Sequence, residues 1–121
     1  MRSRPEAGPV LVLFRTTHLW RLAFATALIG VLVIALWPTG RGADWFPQAD
    51  KLRHALAFVA LWAIGRRAAL RPSWVLALGL VAFGIGIEVA QSFTPDREAS
   101  VADVLADALG IAAGRWLLGS P

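Results

Sequence analysis

The sequence contains no cysteine. That removes disulfides, thiolate catalysis and cysteine-ligated zinc together. Charge is scarce as well: 17% of the 121 residues are charged, against roughly 25% in typical globular proteins. There is no GxSxG, HExxH, P-loop or dinucleotide-type glycine pattern, so the common signatures of hydrolase, metalloprotease and nucleotide chemistry are missing. No basic tract or aromatic-basic module accompanies the net charge of +4, which argues against a nucleic-acid partner. No repeat, low-complexity tract or second domain interrupts the chain, and its length fits a single domain, 1–121.

Hydrocarbon is what the chain has in excess. It is 57% hydrophobic, with a mean hydropathy of +0.60. A water-soluble domain of this size needs more polar surface, so lipid is the expected solvent. A hydrocarbon core of about 30 Å takes roughly 20 helical residues. Four runs meet that need: 19–36, 54–70, 74–93 and 101–118. The expected fold is therefore all-α, an integral membrane bundle of four transmembrane helices. A cleaved signal peptide is disfavoured for the first run, which is long and is followed by "WPTGRG" with no small-x-small site. Segment 9–14, "PVLVLF", either lies along the inner interface or extends the first helix. The linkers "WPTGRGADWFPQAD", "RRAALRPS" and "TPDREAS" carry the Pro, Gly and charge of surface turns.

Four spans put both ends on one side. That side holds Arg2, Arg4, Arg15, Arg21, Arg66, Arg67, Arg71 and Arg115; the other holds Arg41, Lys51, Arg53 and Arg97. The bias predicts both termini, with the segment 1–15, in the cytoplasm. Arg66 and Arg67 then act as orientation signals.

Against this background, residues 88–110, "EVAQSFTPDREASVADVLADALG", hold five carboxylates, an arginine and a glutamine at the outer end of a helical hairpin. In the third run Val81, Gly84, Glu88 and Gln91 share one helical face. Glu88 lies roughly 8 Å below the outer surface, where an acid in lipid is costly, about 2.5–3.5 kcal/mol at the bilayer centre. It should face a partner or a wet cavity. In the fourth run Asp103, Asp107, Gly110 and Gly114 form one narrow stripe, acidic above and a GxxxG packing surface below. That GxxxG predicts close packing of the third and fourth helices. In the second run "DKLRHALAF" places Asp50, His54 and Phe58 on one face at the same level. These charges are expected to converge in a polar pocket at the outer mouth of the bundle, with Glu88 paired first to Arg97 and next to Lys51.

Simpler readings compete. Asp103 stands three residues after Ser100, a capping-box spacing that by itself accounts for an acid at a helix start. Asp96 and Glu98 read as solvated loop charges, His18 as an interfacial residue, and His54 at a helix entrance often merely meets water. The Asp103/Asp107 pair could hold a divalent cation with Glu88 completing the shell. Carboxylate pairs on helices are common without one, so neither metal nor cofactor is expected.

Taken together, "DKLRHALAF" (50–58), "EVAQSFTPDR" (88–97) and "DVLADALG" (103–110) resemble the VanZ-like family of small bacterial membrane proteins. Its pattern looks like D-K-x-x-H-x-x-x-F, E-x-x-Q-x-x-x-P-x-R and D-x-x-x-N-x-x-G. Asp50, Lys51, His54, Phe58, Glu88, Gln91, Pro95, Arg97, Asp103 and Gly110 match it. Asp107 stands where the family usually has Asn, and an acid cannot donate a hydrogen bond as an amide does unless protonated. Ser100 and Ala102 stand where the family often has acids.

The family takes its name from a protein linked to teicoplanin resistance. The resemblance implies a multi-pass protein of the bacterial inner membrane, a cell-envelope setting and a shared polar constellation. The first expectation is a binding or accessory protein. It would recognise a membrane lipid, such as a polyprenyl-phosphate-linked envelope precursor, or a protein partner or second copy of itself. Lys51, Arg53 and Arg97 would meet phosphate, while Asp50, Glu88, Gln91, Asp103 and Asp107 complete the polar cluster. An alternative is a small intramembrane hydrolase or transferase with His54 and Glu88 as acid and base. A structural polar clasp without a ligand is the third.

Overall fold

A computed structural model of the chain describes residues 8–37, 49–68, 70, 72–94 and 100–120. Among them there are four helices and no strand: α1 (Pro9–Leu36), α2 (Ala49–Arg67), α3 (Ser73–Ser92) and α4 (Val101–Leu118). The protein is all-α. Residues 38–48 and 95–99, with Arg97, lie outside the described residues.

Local signals set the ends of these helices. Pro9 opens α1, where its missing N–H costs nothing. Trp37, pushed to extended geometry by the following proline, closes it. Segment 9–14 is thus continuous with the first helix, and α1 runs for 28 residues. Helix α2 begins five residues before the expected 54, bringing Asp50 and Lys51 into its first turn. Gly119, at φ 81°, closes α4, and its N–H returns to the Arg115 carbonyl at 2.9 Å.

Phe58, Leu61 and Trp62 of α2, Leu76, Leu80 and Ile87 of α3 and Ile111 of α4 form the buried core, with Phe24, Leu28 and Val31 of α1 packed against it. The most extensive helix contact is between α2 and α4. Its cause is the small-residue stripe: a Cβ on Gly110 would collide with the Ala55 carbonyl oxygen, and one on Gly114 would come within 3.0 Å of Trp62. This corrects the expectation that Gly110 and Gly114 join α4 to α3. The close approach of α3 to α4 occurs at Gly84, where a Cβ would lie 2.6 Å from Asp107 Oδ2.

Helices successive in the chain alternate in direction, so α2 and α4 run parallel. At one end the Gln91 amide of α3 donates to the Ala35 carbonyl near the end of α1 (2.9 Å). At the other, Arg21 of α1 donates to the Ala68 carbonyl just past α2 (3.2 Å), and the Arg67 guanidinium stacks 5.1 Å above Trp20. The Trp62 indole N–H donates to the Gly119 carbonyl (3.0 Å), pinning the end of α4 to α2.

The outer surface of the bundle is apolar. Ile29, Ile34, Leu56, Leu78, Val89, Leu105, Leu109 and Trp116 are all exposed, a larger apolar surface than soluble monomers leave to water. Two helices, α1 and α3, are long and apolar enough to cross a membrane.

Candidate functional site

The start of α2, the start of α4 and the end of α3 meet at one end of the bundle. His54, in the second turn of α2, faces α4 there. Its Nδ1 lies 2.8 Å from Asp107 Oδ1. Where the carboxylate accepts, the imidazole proton sits on Nδ1 and leaves Nε2 facing away from Asp107. The other ring nitrogen, Nε2, is 3.9 Å from Asp50 Oδ2, one turn earlier on its own helix, and 4.0 Å from Asp103 Oδ2 across on α4. The i,i+4 spacing of Asp103 and Asp107 is what places one acid at each nitrogen of the same ring.

Asp107 is only 1% exposed. Its second oxygen has no hydrogen-bond partner and lies against Gly84, with the Phe58 ring beside it. Glycine at 84 makes the space that the Asp107 carboxylate occupies. Asp103 is 6% exposed; its Oδ1 lies 3.7 Å from Lys51 Nζ and accepts no hydrogen bond. It does not cap α4: no side-chain cap is present at Ser100. The capping-box reading of Asp103 is thereby corrected.

Glu88 supplies the missing cap from another helix. Its Oε2 accepts the Ser100 main-chain N–H at 2.8 Å, as the third-position glutamate of a capping box does within one helix. The positive end of α4 favours an anion there. The expected Lys51 contact is replaced, because Lys51 sits beside Asp103, and Arg97 lies outside the described residues. The second Glu88 oxygen, Oε1, is buried without a hydrogen-bond partner.

Asp50, Lys51, His54, Asp103 and Asp107 are therefore gathered at one place, with Glu88 buried at the mouth of α4. Gln91 is buried on the same face of α3 but gives its amide to α1. Beside the cluster runs a groove of about 500 Å³ along α2 and α4, lined by Lys51, Leu52, Ala55, Ala102, Leu105 and Leu109. Sequence reasoning did not find this groove, nor the role of the Ser100 N–H. The spacing of Ala102 and Ala106, small residues one turn apart, was the only available signal for the groove. A main-chain donor has no side-chain signature at all.

The VanZ/LLP1 family model matches residues 7–119. The chain belongs to the VanZ family. No curated protein matches it, and no solved structure does. Family membership and the two apolar helices of this VanZ protein point to association with a membrane. The gathered cluster draws on all three VanZ-like motifs, Asp50 to Phe58, Glu88 and Asp103 to Gly110.

Proposed function

We propose that this VanZ-family chain is a four-span protein of the bacterial inner membrane, with both termini cytoplasmic, that binds an envelope lipid at the outer leaflet. The four-span arrangement is supported by packing. Helices α2 and α4 have 19 and 18 residues, about 27–28 Å at 1.5 Å per residue. They run parallel to each other and opposite in direction to the apolar α1 and α3, with Leu56, Leu105 and Leu109 exposed along them.

The observation that carries the lipid reading is the double role of Lys51. It lines the apolar groove and also sits beside Asp103 of the polar cluster. A ligand fitting both is an amphiphile, with its tail along Leu52, Leu105 and Leu109 and an anionic head at the ammonium. A polyprenyl-phosphate-linked precursor has that form. The full chain purified in detergent should retain such a lipid, identified by mass spectrometry. Leu105→Trp, which fills the groove from an exposed position, should release it while the helices stay folded. Recovery of bulk phospholipids alone, in membrane proportions, rejects the reading. Teicoplanin susceptibility of cells with and without the chain tests the envelope setting.

The Asp107–His54 hydrogen bond favours one second reading. A carboxylate on one imidazole nitrogen orients the other as a general base. His54, with Glu88 nearby on α3, would then serve a hydrolase or transferase acting on a lipid phosphate. Phosphate released from a polyprenyl diphosphate, and lost in His54→Gln, would put that reading first. Neither activity nor bound lipid would leave a structural clasp.

A further inference from the structure

We infer that His54 Nε2, Asp50 Oδ2 and Asp103 Oδ2 form a binding site for one divalent transition-metal ion, Mn²⁺ or Zn²⁺, with Asp107 holding the histidine from behind.

Three ligand atoms, one from each residue, lie within 4.8 Å of one another. Metal–ligand bonds of about 2.0–2.2 Å put neighbouring ligands of a tetrahedral ion roughly 3.4 Å apart, so the two separations from Nε2, 3.9 and 4.0 Å, need to contract by about half an ångström and side-chain rotation of the half-exposed Asp50 brings in the third. The separations from Nε2 are 3.9 and 4.0 Å, too long for hydrogen bonds.

The second observation is the tautomer. With its Nδ1 proton given to Asp107 at 2.8 Å, a neutral His54 presents a lone pair at Nε2. Nε2 in turn faces the Asp50 and Asp103 carboxylates at 3.9 and 4.0 Å, so a metal ion in place of a ring proton would meet three ligand atoms converging on one point. Carboxylate–histidine–metal is the usual arrangement behind a metal-bound imidazole, where the outer acid fixes the ring and raises its basicity.

The third observation is Asp103 itself. It is 6% exposed and does not cap its helix; its Oδ1, on the Lys51 side, is buried with no hydrogen-bond partner, while its Oδ2 faces His54. A carboxylate so buried needs a charge partner, and Lys51, 3.7 Å away and half exposed, is a loose one.

The donor set selects the ion. One imidazole and two carboxylates suit Mn²⁺ and Zn²⁺, whereas Ca²⁺ and Mg²⁺ favour oxygen alone. Asp50, whose side chain is 39% exposed, is on the open side, where water or an anion would complete the shell. If the lipid reading above holds, the ion also answers its main electrostatic difficulty. Three carboxylates beside Lys51 repel a phosphate head, and a bound divalent cation turns that repulsion into attraction.

The test uses metal alone. The full chain, stripped with chelator in detergent, is titrated with Mn²⁺ and free ion is followed by its electron paramagnetic resonance signal, then displaced with Zn²⁺. One ion per chain is expected. Asp50→Asn and Asp103→Asn should each abolish stoichiometric uptake with an unchanged circular-dichroism spectrum. Asp107→Asn should keep the stoichiometry and weaken affinity about 10–100-fold. Because Asp50 is half exposed, its variant remains informative if Asp103→Asn fails to fold. No stoichiometric Mn²⁺ or Zn²⁺ on the wild-type chain overturns the site, as does unchanged uptake in folded Asp50→Asn. Lipid retention with and without chelator is measured separately, so a metal site without lipid and lipid without a metal site give different results.

Discussion

The residues of the cluster differ in how far spacing alone gave them away. Asp50 and His54, and again Asp103 and Asp107, are one helical turn apart, so their shared faces were legible from the chain. Which acid meets which ring nitrogen was not, because that depends on the relative rotation of α2 and α4. Ser-x-x-Asp at 100–103 fits a capping box and a ligand-bearing helix start equally well, and only the third helix decides between them. Glu88 takes the Ser100 N–H and leaves Asp103 to the cluster. This makes Glu88 testable in two steps. Glu88→Gln keeps a side-chain oxygen for that N–H and should leave thermal stability in detergent nearly unchanged, while removing a negative charge from the mouth of the site. Glu88→Ala strands a buried donor, which costs about 1–3 kcal/mol, and should lower the unfolding midpoint clearly. Equal stability of both variants would remove Glu88 from the capping role.

Among the helices, existence and direction were readable and partners were not. The four apolar runs match α1 to α4 within a few residues, except where α1 and α2 extend toward their N-termini. A GxxxG names a surface for close approach but not the helix that approaches it. Here it is α2, through Ala55 and Trp62. The two glycines should differ in consequence. A methyl at Gly110 meets the Ala55 carbonyl, which is backbone and cannot turn aside, so Gly110→Ala should force α2 and α4 apart and sharply reduce folded yield. A methyl at Gly114 meets the Trp62 side chain at 3.0–3.2 Å, so Gly114→Ala should cost less. Gly86, with nothing within 4 Å of an added Cβ, is the control expected to tolerate alanine. If all three behave alike in size-exclusion yield and melting, close packing at Gly110 does not hold the pair together.

For the molecule as a whole, the open choice is between two and four membrane crossings. Helices α1 and α3 pass on length and apolarity; α2 and α4 carry charges near their ends that weaken the same signal. Geometry bears on the choice, because α2 and α4 pack at the same level as the other two and are not stacked beyond them. The two arrangements make opposite statements about the cluster. With four crossings and a cytoplasmic N-terminus, the start of α4 lies outside. With only α1 and α3 crossing, the chain has returned to the cytoplasm by residue 100. Because the chain has no cysteine, single-cysteine variants need no prior substitution. Ala102→Cys, exposed at the start of α4, should react with an impermeant maleimide added to intact cells. Ser120→Cys should react only after the membrane is opened. Protection at both positions would favour two crossings and move the carboxylate cluster to the cytoplasmic face. Reaction at 120 but not 102 would invert the orientation read from the eight-to-four distribution of arginine and lysine. Labelling at 102 alone would put the groove, Lys51 and the three aspartates at the outer leaflet, where an envelope lipid could reach them.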